Sequence, residues 1–98
     1  MLKASDKVNS QELYRAILSL ESEDECRRFF KDLCTIAELR AMEQRYDVAV
    51  LLDQGLVYSD ILERTGASSA TISRVNKALN YGEEGYKDVL RHMREQDS

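Results

Sequence analysis

The sequence predicts an all-α, six-helix chain organised around a helix-turn-helix unit. Apolar residues recur at helical spacing along almost its whole length, and strand-like alternation is hard to find. There is no proline to interrupt that pattern, and the four glycines fall where helices should stop or turn. A length of 98 residues fits one domain, and no segment is long enough to serve as a linker between two. The expected organisation is 1–57 for the N-terminal helices, core and dimerisation, 58–80 for the helix-turn-helix, and 81–98 for the last helix.

The first helix is expected over 10–20, with Leu13, Ile17 and Leu20 on one face and Asn9 and Glu12 as a loose cap. Ser22-x-x-Glu25 reads as a capping box, in which each side chain reaches the other residue's amide. Glu23, Asp24 and Glu25 suit the positive end of the helix dipole there, and no second carboxylate cluster suggests a metal site. The helix that follows presents Cys26, Phe29, Phe30 and Leu33 as a stripe, which reads as core or dimer interface rather than a ligand box. Thr35-x-x-Glu38 is a second box opening a longer helix with Leu39, Met42, Tyr46, Ala49 and Val50 on its apolar side. Gly55 is placed to end that helix in the left-handed conformation. Short helices are expected over 59–65 and 69–80. Gly82 and Gly85 then bracket a break before a last helix carrying Tyr86, Val89, Leu90 and Met93.

Composition removes several function classes. One third of the residues are charged and 43% are hydrophobic, as in a folded globular protein rather than a disordered tail. No apolar run approaches the roughly 20 residues of a membrane span. Residues 1–10 hold two lysines with no apolar stretch behind them, which predicts no signal peptide and a cytoplasmic location. Cys26 and Cys34 form no CxxC pair and read as buried thiols, and the single histidine, His92, leaves a zinc site short of ligands and reads as an inert group on a polar helix end. There is no P-loop or GxGxxG, so an enzyme is not expected, nor a metal or nucleotide cofactor. The net charge of -4 argues against a general nucleic-acid coat, but not against a reader whose positive charge is local.

Six short helices in so small a chain bury little surface alone, and their apolar stripes are wide for a thin monomer. Two copies packed together would cover them, so a homodimer is expected; a compact monomer with a few exposed apolar residues is the alternative.

The segment from Tyr58 to Leu79 carries the function signal. Two helices meet at Gly66, where a sharp turn needs a positive φ that a β-carbon resists. Ile61 and Thr65 before the turn, and Ala67, Ile72 and Val75 after it, stand where two crossed helices must touch. Leu62 occupies a crossing position where small residues are usual. Ser68 is placed to cap the second helix.

On that second helix Ile72, Val75 and Leu79 form the buried stripe. The opposite face holds Ala70, Ser73, Arg74 and Lys77, with Ser69 and Thr71 toward its flanks, and Ser68 to Lys77 is the stretch expected to read DNA. Small residues near the tip would let the helix press into a major groove of double-stranded DNA. There the hydroxyls can meet phosphates or base edges, and the Ala70 and Thr71 methyls can meet thymine methyls. Tyr58 and Ser59 open the preceding helix, whose N-terminal amides could meet a phosphate. Between Arg64 and Tyr81 there are three basic residues and no acidic one, a positive stretch inside an acidic chain. Tyr81 and Tyr86 read as packing groups rather than platforms for stacked bases.

The run T-G-A-S-S-A-T-I-S-R-V-N-K-A-L, with the long helix and Gly55 ahead of it, resembles the tryptophan repressor family. Y-S-D-I before that run and L-N-Y-G-E-E-G-Y across its end are similar to the related branch labelled YerC/YecD. The likeness spans roughly residues 35–90. It implies an intertwined homodimer that sets two recognition helices in successive major grooves of a two-fold symmetric operator, and a regulator of transcription, most simply a repressor.

The resemblance also implies a corepressor pocket in which two arginines sandwich an indole. The matching residues are Arg45 and Arg74, with Thr35 at the position of a pocket threonine. Two other positions depart from the pattern: Val75 replaces a glycine that leaves room for the ligand, and Ala78 replaces a serine that helps hold its amino group. Tryptophan binding is therefore expected to be weak or absent, and Arg45 reads first as an ordinary surface or interface ion-pair residue. Two alternatives remain open: a helical module that docks a protein instead of DNA, and a sensor in which a small molecule at Arg45 and Arg74 controls DNA binding.

Overall fold

The computed structural model describes residues 11–97, and all their regular structure is helical. In chain order the helices are α1 (Gln11–Leu18), α2 (Glu23–Leu33), α3 (Ile36–Asp53), α4 (Tyr58–Thr65), α5 (Ser69–Tyr81) and α6 (Gly85–Asp97). These residues fall into two compact units divided between Leu39 and Arg40.

In the first unit, the cap expected at Asn9 lies outside the described residues. α1 is shorter than its apolar spacing suggested. Its end tightens into a turn in which the Ser19 amide reaches the carbonyls of Arg15 and Ala16, and the Leu20 amide that of Ile17. Ser22 caps α2, accepting the Glu25 amide at 3.0 Å. The Thr35–Glu38 box is reciprocal: the Thr35 amide donates to Glu38 Oε1 at 2.8 Å, and the Glu38 amide to Thr35 Oγ1 at 3.1 Å. Hydrogen bonds to the Glu38 carboxyl from Thr35, the backbone amide first and the side chain second, hold it below the usual glutamate range. Neither α1 nor α2 has a buried residue. Leu13, Leu18 and Leu33 are exposed, and Cys26 and Cys34 are half-buried rather than buried as expected. Phe29 and Phe30, also half-buried, meet edge to face with ring centroids 5.6 Å apart.

The second unit holds the core. Val48 and Ala49 of α3, Ile61 of α4, Ala67 of the turn, and Ile72 and Val75 of α5 form one buried cluster, with Leu51, Leu52, Leu56 and Tyr86 packed against it. Val48 was not part of the stripe read for α3. The helix is apolar on more than one side at its C-terminal end, because Val48 and Ala49 both enter the cluster. Gly55, at φ 87°, closes α3: the Leu56 amide bonds Leu51 oxygen and the Gly55 amide bonds Leu52 oxygen, the paired bonds of a Schellman stop. Leu90 is buried on α6, while Val89 and Met93 stay exposed. Arg94 Nη1 of α6 donates to Asp53 Oδ2 of α3 at 2.6 Å.

Between α5 and α6, Gly82 is needed for space rather than for positive φ, since a Cβ there would run into the Ala78 carbonyl. The left-handed residue of this joint is Glu84, at φ 69°. Tyr81 does not pack as expected: it is 85% exposed, whereas Tyr86 does join the core.

Candidate nucleic-acid interface

The turn between α4 and α5 forms as its sequence requires. Gly66 has φ 71° and ψ 6°, and its amide bonds Leu62 oxygen, which ends α4 in a left-handed cap. Thr65 Oγ1 donates to Ile61 oxygen at 2.7 Å and accepts the Ala67 amide at 3.1 Å. Ile61, Ala67, Ile72 and Val75 are each at most 2% exposed, so the residues read as crossing contacts do meet in the interior. Thr65 is only half-buried, its hydroxyl serving the turn, and Leu62 points outward at 44% exposure, so its bulk does not hinder the crossing.

Ser68 caps α5 and accepts the Thr71 amide at 3.2 Å. Its own hydroxyl donates to Thr71 Oγ1 at 3.1 Å. With Ile72, Val75 and Leu79 buried, the other side of α5 is open: Ser69, Ala70, Ser73, Arg74 and Lys77 are exposed and Thr71 is half-buried. Arg15, Arg27, Arg28, Arg91 and Arg94 all meet carboxylates, but neither Arg74 nor Lys77 has an ion-pair partner among the described residues. The positive charge of α5 is thus left to face outward. Tyr58 and Ser59 are exposed at the start of α4, where the N-cap residue Val57 offers no side-chain acceptor to the first amides. Asp60 also lies in that first turn, a charge that opposes an incoming anion.

Of the residues implied for a ligand pocket, Thr35 lies in the first unit, exposed and engaged in its capping box. Arg45 is half-buried and Arg74 exposed, both in the second unit. A cavity of about 560 Å³ is lined by Tyr46, Ala78, Gly82, Glu83, Gly85, Tyr86 and Val89. Sequence reasoning missed Gln44, whose side-chain amide donates to Thr65 oxygen at 3.2 Å across 21 residues. No periodicity marks a polar residue that reaches from one helix to the end of another.

A helix pair of this geometry occurs in many folds, so the whole chain has to decide the family. The model of the Trp repressor protein family matches residues 9–94. The chain belongs to that family. It is 46% identical to the uncharacterized protein YerC of Bacillus subtilis (strain 168) over 95% of this chain and 92% of that protein. The crystal structure of a candidate Trp repressor from Staphylococcus aureus superimposes with a TM-score of 0.83 at 45% identity, covering 86% of this chain and 84% of that one. A TrpR-like protein from Eubacterium eligens ATCC 27750 gives a TM-score of 0.82 at 51% identity, covering 85% of this chain and 86% of the other. The six-helix, all-α fold is therefore that of the TrpR-like proteins, and the likeness to YerC places the chain in that branch. Among the described residues no helix is long and apolar enough to cross a membrane, and no group of three or more His, Cys, Asp or Glu side chains could hold a metal ion.

Proposed function

We propose that the chain is a sequence-specific DNA-binding regulator of transcription, a repressor in the simplest case, acting in the cytoplasm and without catalysis. The observation that carries this reading is the outward face of α5. It is small at Ser69, Ala70 and Ser73, cationic at Arg74 and Lys77, and free of internal ion pairs among the described residues. Such a face fits a major groove, with short side chains at the tip for base edges and charge further along for phosphates. Thr71 flanks it, and Tyr58 and Ser59 would lie on the phosphate backbone beside it.

The working form is a homodimer that treats each chain as a single domain. The exposed leucines of α1 and α2, with no buried residue in either helix, support a partner surface that completes them. Two copies would then present their recognition helices about 34 Å apart, one turn of the duplex.

Tryptophan does not fit this chain as a corepressor. What supports this is residue type: Val75 stands where the family pocket has a glycine and Ala78 where it has a serine, so bulk is added and a hydroxyl is lost. DNA binding in this reading needs no indole at Arg45 and Arg74.

Selection of duplexes from a random pool by the full-length protein tests the reading. A recovered motif should have approximate two-fold symmetry, and affinity for it should fall steeply as salt rises, with a log–log slope near -0.9 per phosphate neutralised. Failure to enrich any motif, or salt-independent binding, would favour a protein-docking module on the same fold.

A further inference from the structure

We propose that Gln44 is a positioning residue for the recognition helix, a role that rests on the DNA-reading function above. The last carbonyls of a helix have no partner within it, and those of α4 end at the turn that aims α5. Leu62 oxygen is taken by the Gly66 amide and Ile61 oxygen by the Thr65 hydroxyl, both local bonds inside the unit. Thr65 oxygen is taken instead by Gln44 Nε2, from α3. This bond reaches the turn from a different element, and it ends on the residue just before Gly66.

The chemistry explains why one bond matters there. The buried side chains shared by α3, α4, the turn and α5 are Val48, Ala49, Ile61, Ala67, Ile72 and Val75, all apolar. Apolar contact is non-directional, so it holds the helices together but tolerates small rotations and slides. A hydrogen bond weakens steeply as its angle and length depart from ideal, so it selects one setting among those the core permits. Thr65 links that setting to α5, because its hydroxyl also accepts the Ala67 amide, one residue ahead of the α5 cap at Ser68. Gln44 thereby acts on α5 through the turn, without itself touching DNA.

The test compares the full chain with Gln44→Met, which keeps the length of the side chain but removes the donor, and Gln44→Glu, which adds a negative charge facing a carbonyl. Amide exchange followed by NMR, without DNA, should speed up about two- to tenfold at Gly66 and Ala67 in Gln44→Met, as expected for the loss of one hydrogen bond, while α6 amides keep their rates. Gln44→Glu should show a larger effect at the same amides. Affinity for a duplex selected by the parent protein should fall by a similar factor, with affinity for a scrambled duplex unchanged. Unaltered exchange at Gly66 and Ala67, or a rise spread evenly over the chain, would overturn the proposal. So would faster exchange at the turn with full affinity for the selected duplex. If the parent selects no duplex, the DNA-reading function fails and the recognition role goes with it, while exchange still decides whether Gln44 locks the turn.

Discussion

The Ser68 hydroxyl is turned inward on Thr71, accepting its amide at 3.2 Å and donating to its Oγ1 at 3.1 Å. The residue at the tip of α5 therefore holds the helix start, and the proton left to donate outward belongs to Thr71. Ser68→Ala should lower stability by about 1 kcal/mol, the usual loss for an N-cap side chain. Chemical denaturation would measure it, and an unchanged midpoint would show that the cap contributes nothing.

Arg74 and Lys77 differ from the paired arginines elsewhere in having no internal carboxylate among the described residues to release them from. Arg74→Ala should weaken binding to a selected duplex by about 1–3 kcal/mol and leave the association state unchanged in analytical ultracentrifugation. Ala70→Glu should be worse, since it sets bulk and negative charge against the groove floor. If that variant binds as tightly as the parent, α5 does not enter the duplex by this face.

Gly66 has open space around its α-carbon, yet its φ of 71° is one an L side chain resists. Gly66→Ala should thus cost about 1–2 kcal/mol through backbone conformation rather than a clash. Gly66→Asn should cost less, because asparagine visits that region more readily. Equal midpoints for the alanine and glycine forms would contradict this account.

The two bonds from Thr35 favour the charged form of Glu38, so its carboxyl should titrate below the ordinary glutamate range in an NMR pH series. Because the folded value is depressed, the stabilisation is complete above the unfolded value and disappears as pH falls through the folded one. Glu38→Gln should remove this part of the acid dependence while retaining the start of α3. A Glu38 midpoint at or above the ordinary range would contradict the bonding described.

Much of the second unit was legible from residue type and spacing. Gly66, Ile61, Ala67, Ile72 and Val75 mark the crossed pair through backbone preference and a 3.6-residue stripe, both local properties of the chain. The Schellman stop at Gly55 and the Thr35–Glu38 box follow from the same local rules. What escaped was set by distant parts of the chain. Val48 is buried because α3 meets two helices at once, and Gln44 and Arg94 find partners 21 and 41 residues away. Glu84 adopts a positive φ beside a glycine that does not, so composition pointed to the neighbouring residue. Tyr81 reads as a packing group near the glycines, but its position on α5 turns it to the surface.

Neither of the first two helices has a fully buried residue, although Ser22 caps α2 and both helices are amphipathic. In the dimeric reading, their interior is supplied by another molecule, which couples the folding of these two helices to assembly. Dilution should then loosen 11–33 before it disturbs the core around Ile61 and Ile72, and the apparent melting temperature should climb with protein concentration.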